Sequence, residues 1–81
     1  MATSAPATWS RTLVYVKSRQ VMRGPDVAAW QARLRELGYQ VAVDGRYEPT
    51  TAEATRRFQA DRGLLVTGTV DKTTARTAGE L

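Results

Sequence analysis

The chain has 81 residues, no cysteine and no histidine, and its 12 basic side chains outnumber 8 acidic ones for a formal net charge of +4. That length holds one small domain whose core supplies only about 3 to 5 kcal/mol, which excludes a large pocket, and the missing residue types exclude disulfides, thiol nucleophiles, imidazole bases and the usual zinc sites. The carboxylates are scattered singly and ten of the twelve basic residues are arginine, a balance that argues against catalysis and for anionic partners gripped by forked contacts.

Residues 1–10, "MATSAPATWS", are small and polar around Trp9 and read as a flexible lead or linker. They have neither the charged start nor the apolar stretch of a secretory leader, and no segment approaches the roughly 20 apolar residues of a membrane span. Export is therefore expected to depend on something outside this sequence, and no membrane insertion is expected. Residues 11–81 are expected to form the domain.

Residues 11–23, "RTLVYVKSRQVMR", hold an apolar run at Leu13 to Val16 and an apolar pair at Val21 and Met22. This predicts a short extended segment packed on helices. In "GPDVAAWQARLRELGY", Gly24 and Pro25 start a helix and Gly38 stops it. Val27, Trp30, Leu34 and Leu37 share an arc of about 80° at 100° per residue, which places Trp30 in the core rather than on a sugar-stacking surface. Arg33, Arg35 and Glu36 lie on the other face, with Gln31 at the border of the apolar stripe.

"YQVAVDG" alternates Tyr39, Val41 and Val43 with Gln40, Ala42 and Asp44, a strand-like pattern ending in an Asp-Gly turn. Pro49 then opens a second helix that runs to Gly63. Thr51, Ala54, Thr55 and Phe58 share its inner face, so its packing rests on one ring. "LLVTGTVD" repeats the extended-then-turn pattern, with Leu64, Val66 and Val70 expected to be buried. Asp71 is an N-cap for a last helix, Lys72 to Ala78, closed by Gly79.

The fold class that follows is all-α, a small three-helix bundle with short extended links and a pseudo-repeated Gly turn plus helix. "DGRY" and "TGTV" are equivalent turns, in which Gly45 and Gly68 take positive φ and Tyr47 and Val70 staple the helix that follows. Gln31 and Gln59 are expected to tie helices to these loops by bonding backbone.

With these residues in place, the chain from about Arg11 to Ala78 resembles the three-helix peptidoglycan-binding domain attached to cell-wall hydrolases and phage lysins. The resemblance is carried by "GPDV", Trp30-Gln31, "LRELGY", "DGRYEPTT", "RFQ", "GLL" and "TGTVDKTT". Related domains also precede extracellular metalloproteases. The sequence departs from the family at Glu48, where glycine is usual, at Thr55, where an apolar residue is usual, and at Ala75 and Ala78, which replace a larger Trp and Leu. The third helix is therefore expected to be the weakest part, completed by Leu81, by the Leu13 to Val16 segment or by a partner.

The resemblance implies a non-catalytic module, without cofactor or metal, that holds an attached or associated partner on the bacterial wall. The implied partners are peptidoglycan, through stem peptide or glycan, and a cell-wall hydrolase or virion protein. The isolated domain is expected to be a monomer in the cell envelope or outside the cell. The candidate peptidoglycan-binding residues are Arg23, Asp44, Arg46, Tyr47, Arg56 and Arg57, in a groove beside the Asp44 to Tyr47 loop. The arginines suit carboxylates of peptide stems or phosphates of wall polymers, with a solvated basic face as the plain alternative. Asp44 is placed either to meet a ligand amine or to accept backbone N–H groups in its own turn. Tyr47 is expected to staple the turn while its hydroxyl reaches the surface.

The alternative function is a structural or protein-interaction module of a phage or injection particle. Nucleic-acid binding is disfavoured, because "GLLVTGTVD" between the second and third helices is much longer than the roughly 3 to 4 residue turn of a helix-turn-helix.

Overall fold

The computed structural model describes residues 11–79. The expected lead at residues 1–10, with Trp9, and the expected contribution of Leu81 lie outside that range. Three helices follow in chain order: α1 (Pro25–Glu36), α2 (Pro49–Asp61) and α3 (Lys72–Thr77). Pro25 and Pro49 occupy first-turn positions where no N–H is needed, and the Asp71 carboxylate accepts the Thr74 N–H at 2.8 Å to start α3.

The core joins Val27, Trp30 and Leu34 of α1 with Ala52, Ala54 and Phe58 of α2 and Ala75 of α3. Val41, Tyr47, Val70 and Ala78 close it from the connections. Phe58 is the hinge of this packing: Trp30 meets it edge-on at 5.6 Å and Tyr39 at 6.1 Å between ring centroids, and the Arg62 guanidinium sits 5.1 Å from its centre. One ring thus serves both sides of α2.

Among the described residues no strand forms, and pairing is limited to two isolated antiparallel bridges, Leu13 with Val70 and Arg23 with Arg46. Leu13 is fully buried and exchanges both backbone bonds with Val70, at 3.1 and 2.8 Å. This supplies the apolar bulk that Ala75 and Ala78 lack in the small third helix.

Of the three residues of the second link expected to be buried, Val66 fails and Leu64 is only half-buried. Val66 is 49% exposed and Val43 is 45% exposed, whereas Val41 and Val70 are buried. Period-two alternation buries a residue only where a second layer covers that face. Here the outer side of each link is open at Val43 and Val66. Each link then turns inward at residues 44–45 or 67–68, where a glutamine captures its N–H groups.

Candidate functional site

The two turns that resemble each other in sequence are built alike. Gln31 lies on the inner face of α1, buried rather than at the stripe's border, and its Oε1 accepts the N–H groups of Asp44 at 3.0 Å and Gly45 at 2.8 Å. Its Nε2 donates to the Arg46 carbonyl, the Asp44 carboxylate and the Thr51 hydroxyl. Gln59 on α2 repeats the pattern with Thr67 and Gly68 as donors and Thr69, Thr67 and Thr74 as acceptors. Gly45 and Gly68 both adopt φ of 76°, which lets consecutive N–H groups converge on one oxygen.

Between the turns lies a buried polar knot centred on Thr55. Trp30 Nε1 donates to its hydroxyl at 2.9 Å, Tyr47 Oη lies 2.8 Å from it, and it donates to the Thr51 carbonyl at 2.9 Å. Tyr47 also donates to the Gly68 carbonyl at 2.7 Å, so the first turn is bolted to the second through the core. Two hydroxyl protons serve three oxygen contacts, which leaves Thr55 dividing its proton between Tyr47 and a carbonyl already bonded within the helix. The departure from an apolar residue at Thr55 is therefore compensated by hydrogen bonds.

This geometry corrects the expectation for Tyr47. Its side chain is fully buried, its hydroxyl does not reach the surface, and burial pushes its pKa up to about 12. Asp44 is a turn residue: its carboxylate accepts the Arg46 N–H at 3.0 Å and is held below the usual carboxylate range first by that bond and then by Gln31. Arg46 pairs with Glu48 at 2.9 Å, which gives the unusual Glu48 a partner. Arg56 pairs with Glu53 at 3.0 Å and lies over Gly68. Arg23 is exposed beside the Asp44 to Tyr47 loop.

A separate groove lies on another face of α2. It is open and runs between the link after α1 and the outer face of α2, lined by Tyr39, Gln40, Thr50, Glu53, Arg57 and Asp61. Of the six sequence candidates, only Arg57 lines it. The helix residues Thr50, Glu53, Arg57 and Asp61 lie within about 80° of one another around the axis, next to the buried stripe. That stripe was readable from spacing but lacks the aromatic and glycine markers that drew attention to the neighbouring loop.

The groove has a mixed lining, with Pro49, Ala54, Ala60 and the Tyr39 ring beside charges that alternate in sign along α2. Glu53 is held below the usual carboxylate range, first by its hydrogen bond to Arg56, with Arg57 3.5 Å away adding to it. Arg57 itself is 71% exposed. Across the groove the Tyr39 hydroxyl donates to the Asp61 carboxylate, and this bond is the main cause of a raised Tyr39 pKa. The Tyr39 ring, backed by Phe58, gives one wall a firm apolar surface. Such a cleft can receive ammonium, carboxylate and hydroxyl groups together.

Comparison with known proteins gives concordant results. The model of a family described as "Putative peptidoglycan binding domain" matches residues 23–77. A curated relative, the zinc D-Ala-D-Ala carboxypeptidase of Streptomyces albus G, is 36% identical over 66 residues, covering 75% of this chain and 23% of the relative. Among solved structures, the SleB N-terminal domain superposes with a TM-score of 0.79 at 29% identity, covering 91% of this chain and 96% of that one. The Burkholderia AP3 phage endolysin superposes with a TM-score of 0.73 at 32% identity, covering 84% of this chain and 24% of the endolysin. The chain thus spans about a quarter of the length of the carboxypeptidase and the endolysin.

Proposed function

The chain belongs to the peptidoglycan-binding domain family, and from that premise we propose that it is a non-catalytic module that binds peptidoglycan through the groove beside α2 and so holds a partner on the bacterial wall. The observation that carries this reading is the alternation of Glu53, Arg57 and Asp61 along one edge of an open groove, opposite the firm face of Tyr39. Paired acid and base along a cleft suit the amines and carboxylates of a stem peptide better than an uncharged glycan.

The groove is open to solvent along its length, so modest affinity is expected. A targeting module needs no more, because binding by one part raises the effective concentration of whatever is joined to it. The partner that this reading favours is a wall hydrolase, by analogy with the much longer carboxypeptidase and endolysin, and the place of action is the cell envelope or the medium outside it. The groove carboxylates are engaged by Arg56, Arg57 and Tyr39, and hydrolysis is assigned to the partner.

Co-sedimentation with purified sacculi, stripped of secondary polymers and assayed at low salt, tests the proposal. The chain is expected in the pellet, and Arg57→Gln is expected to shift it towards the supernatant by about tenfold or less, the usual scale for one exposed charge-assisted contact. A wild-type chain that stays wholly in the supernatant would sink the reading.

A further inference from the structure

The bridge between Arg23 and Arg46 has a geometry that backbone bonds alone define. Gly24 N–H donates to the Gly45 carbonyl at 3.1 Å and Tyr47 N–H donates to the Met22 carbonyl at 2.9 Å. These bonds flank the two arginines, which makes them the non-hydrogen-bonded type of antiparallel pair. In such a pair the Cα atoms are about 4.5 Å apart and both side chains leave the same face.

Two like charges directly opposite each other oppose folding, and neighbouring acids answer only one of them. Arg46 is paired with Glu48, and the Asp44 carboxylate is engaged by Gln31 and the Arg46 N–H. Asp26 is taken by Arg11, 2.7 Å away, and the same Arg11 also caps the Arg23 carbonyl. The Arg23 guanidinium is exposed and has no acidic partner among the described residues. Arg11 and the turn glutamine hold the backbone on both sides, so the pair cannot relax by moving apart as a frayed edge would.

We infer that Arg23 and Arg46 form a second binding point, separate from the groove, for a phosphodiester group of a wall polymer. A phosphodiester presents two non-bridging oxygens set wider apart than the coplanar pair of a carboxylate, so that each oxygen can meet one of two forks arriving from adjacent positions. The Glu48 carboxylate already occupies the Arg46 fork on one edge, and a second anion bridging to Arg23 relieves the charge that Glu48 leaves unanswered. The inference rests on the wall-binding reading only for the source of the ligand.

The test titrates the whole chain with a short oligo(glycerol phosphate), and in parallel with sodium acetate, following amide and arginine Nε–H chemical shifts. Saturable shifts are expected at Arg23, Gly24, Gly45 and Arg46, at least tenfold tighter than for acetate. Arg23→Gln is expected to weaken binding fivefold or more and to abolish the rise in melting temperature that the oligomer gives wild type. Arg35→Gln, at another exposed arginine, is the control and should leave both unchanged. Equal response to acetate, or equal loss in the two variants, overturns the inference. The oligomer contains neither glycan nor peptide, so this outcome and sacculus retention fail or succeed separately.

Discussion

Gln31 on α1 and Gln59 on α2 hold matching turns in matching ways: each Oε1 accepts two consecutive backbone N–H groups, and each Nε2 reaches a carbonyl and a threonine on the helix that follows. The repeat in the sequence is thus a repeat of buried amide clamps.

Removing one clamp strands donors that water reaches poorly. Gln59→Leu leaves the Thr67 and Gly68 N–H groups without the oxygen they share, at about 1 to 3 kcal/mol for each stranded group. Against the roughly 3 to 5 kcal/mol that a domain of this size draws from its core, the variant is expected to be largely unfolded by circular dichroism at 25 °C. Gln59→Glu keeps an acceptor but buries a carboxylate and sets an oxygen against the Thr69 carbonyl, so it should not rescue the fold at neutral pH. Equal denaturation midpoints for wild type and Gln59→Leu would contradict the clamp.

Glycine at the second turn is required by φ, and a side chain there would also press on Arg56. Both Gly63 and Gly68 have positive φ, 71° and 76°, but a Cβ on Gly63 meets open space whereas one on Gly68 comes 2.7 Å from Arg56 Nη1 and 3.3 Å from Arg56 Cγ. Gly63→Ala is expected to cost about 1 to 2 kcal/mol, the left-handed penalty alone. Gly68→Ala carries the same backbone penalty and should also displace the exposed Arg56 side chain from its place against Glu53, which adds only a small further cost. Urea unfolding of the two variants side by side checks the order.

Alkali should unfold the chain through Tyr47. Its folded pKa of about 12 lies above the ordinary value of about 10, so the neutral hydroxyl is the form the fold prefers. The contribution is complete below pH 10 and is lost as pH rises from 10 towards 12. Tyr47→Phe should flatten the fall in stability across that window, while lowering stability at pH 7 because the Gly68 carbonyl loses its donor. Tyr39, raised through its bond to Asp61, titrates in the same direction, so Tyr39→Phe is the control for the remaining slope. An unchanged slope in Tyr47→Phe would remove Tyr47 from this account.

Much of the fold was legible because its signals are local. Pro25, Pro49 and Asp71 mark helix starts by their own chemistry, and the spacing of Val27, Trp30 and Leu34 fixes a face. Gln31 and Gln59 sat beside apolar stripes, and their expected bonding to loop backbone is what the structure contains. What stayed hidden depends on contacts between distant segments. Thr55 reads as a weak spot in an apolar face until Trp30, Tyr47 and Thr51 are seen to converge on it. Val66 reads as buried until the outer side of the link is seen to be open. Tyr47 reads as half a surface residue until Gly68 appears over its hydroxyl. The groove arises where the link after α1 lies along α2, a juxtaposition that no single motif encodes, which is why Tyr39, Glu53 and Asp61 do not stand out in the sequence as its lining.

The central claim is that peptidoglycan itself is met by the groove beside α2 rather than by the glycine turns. Chemical-shift mapping of the isotopically labelled chain with soluble disaccharide-peptide fragments of peptidoglycan tests it most directly. The account predicts saturable shifts clustered at Tyr39, Gln40, Thr50, Glu53, Arg57 and Asp61, with little change at Thr67 to Val70. Shifts centred on the second turn, or none at millimolar fragment, would contradict it.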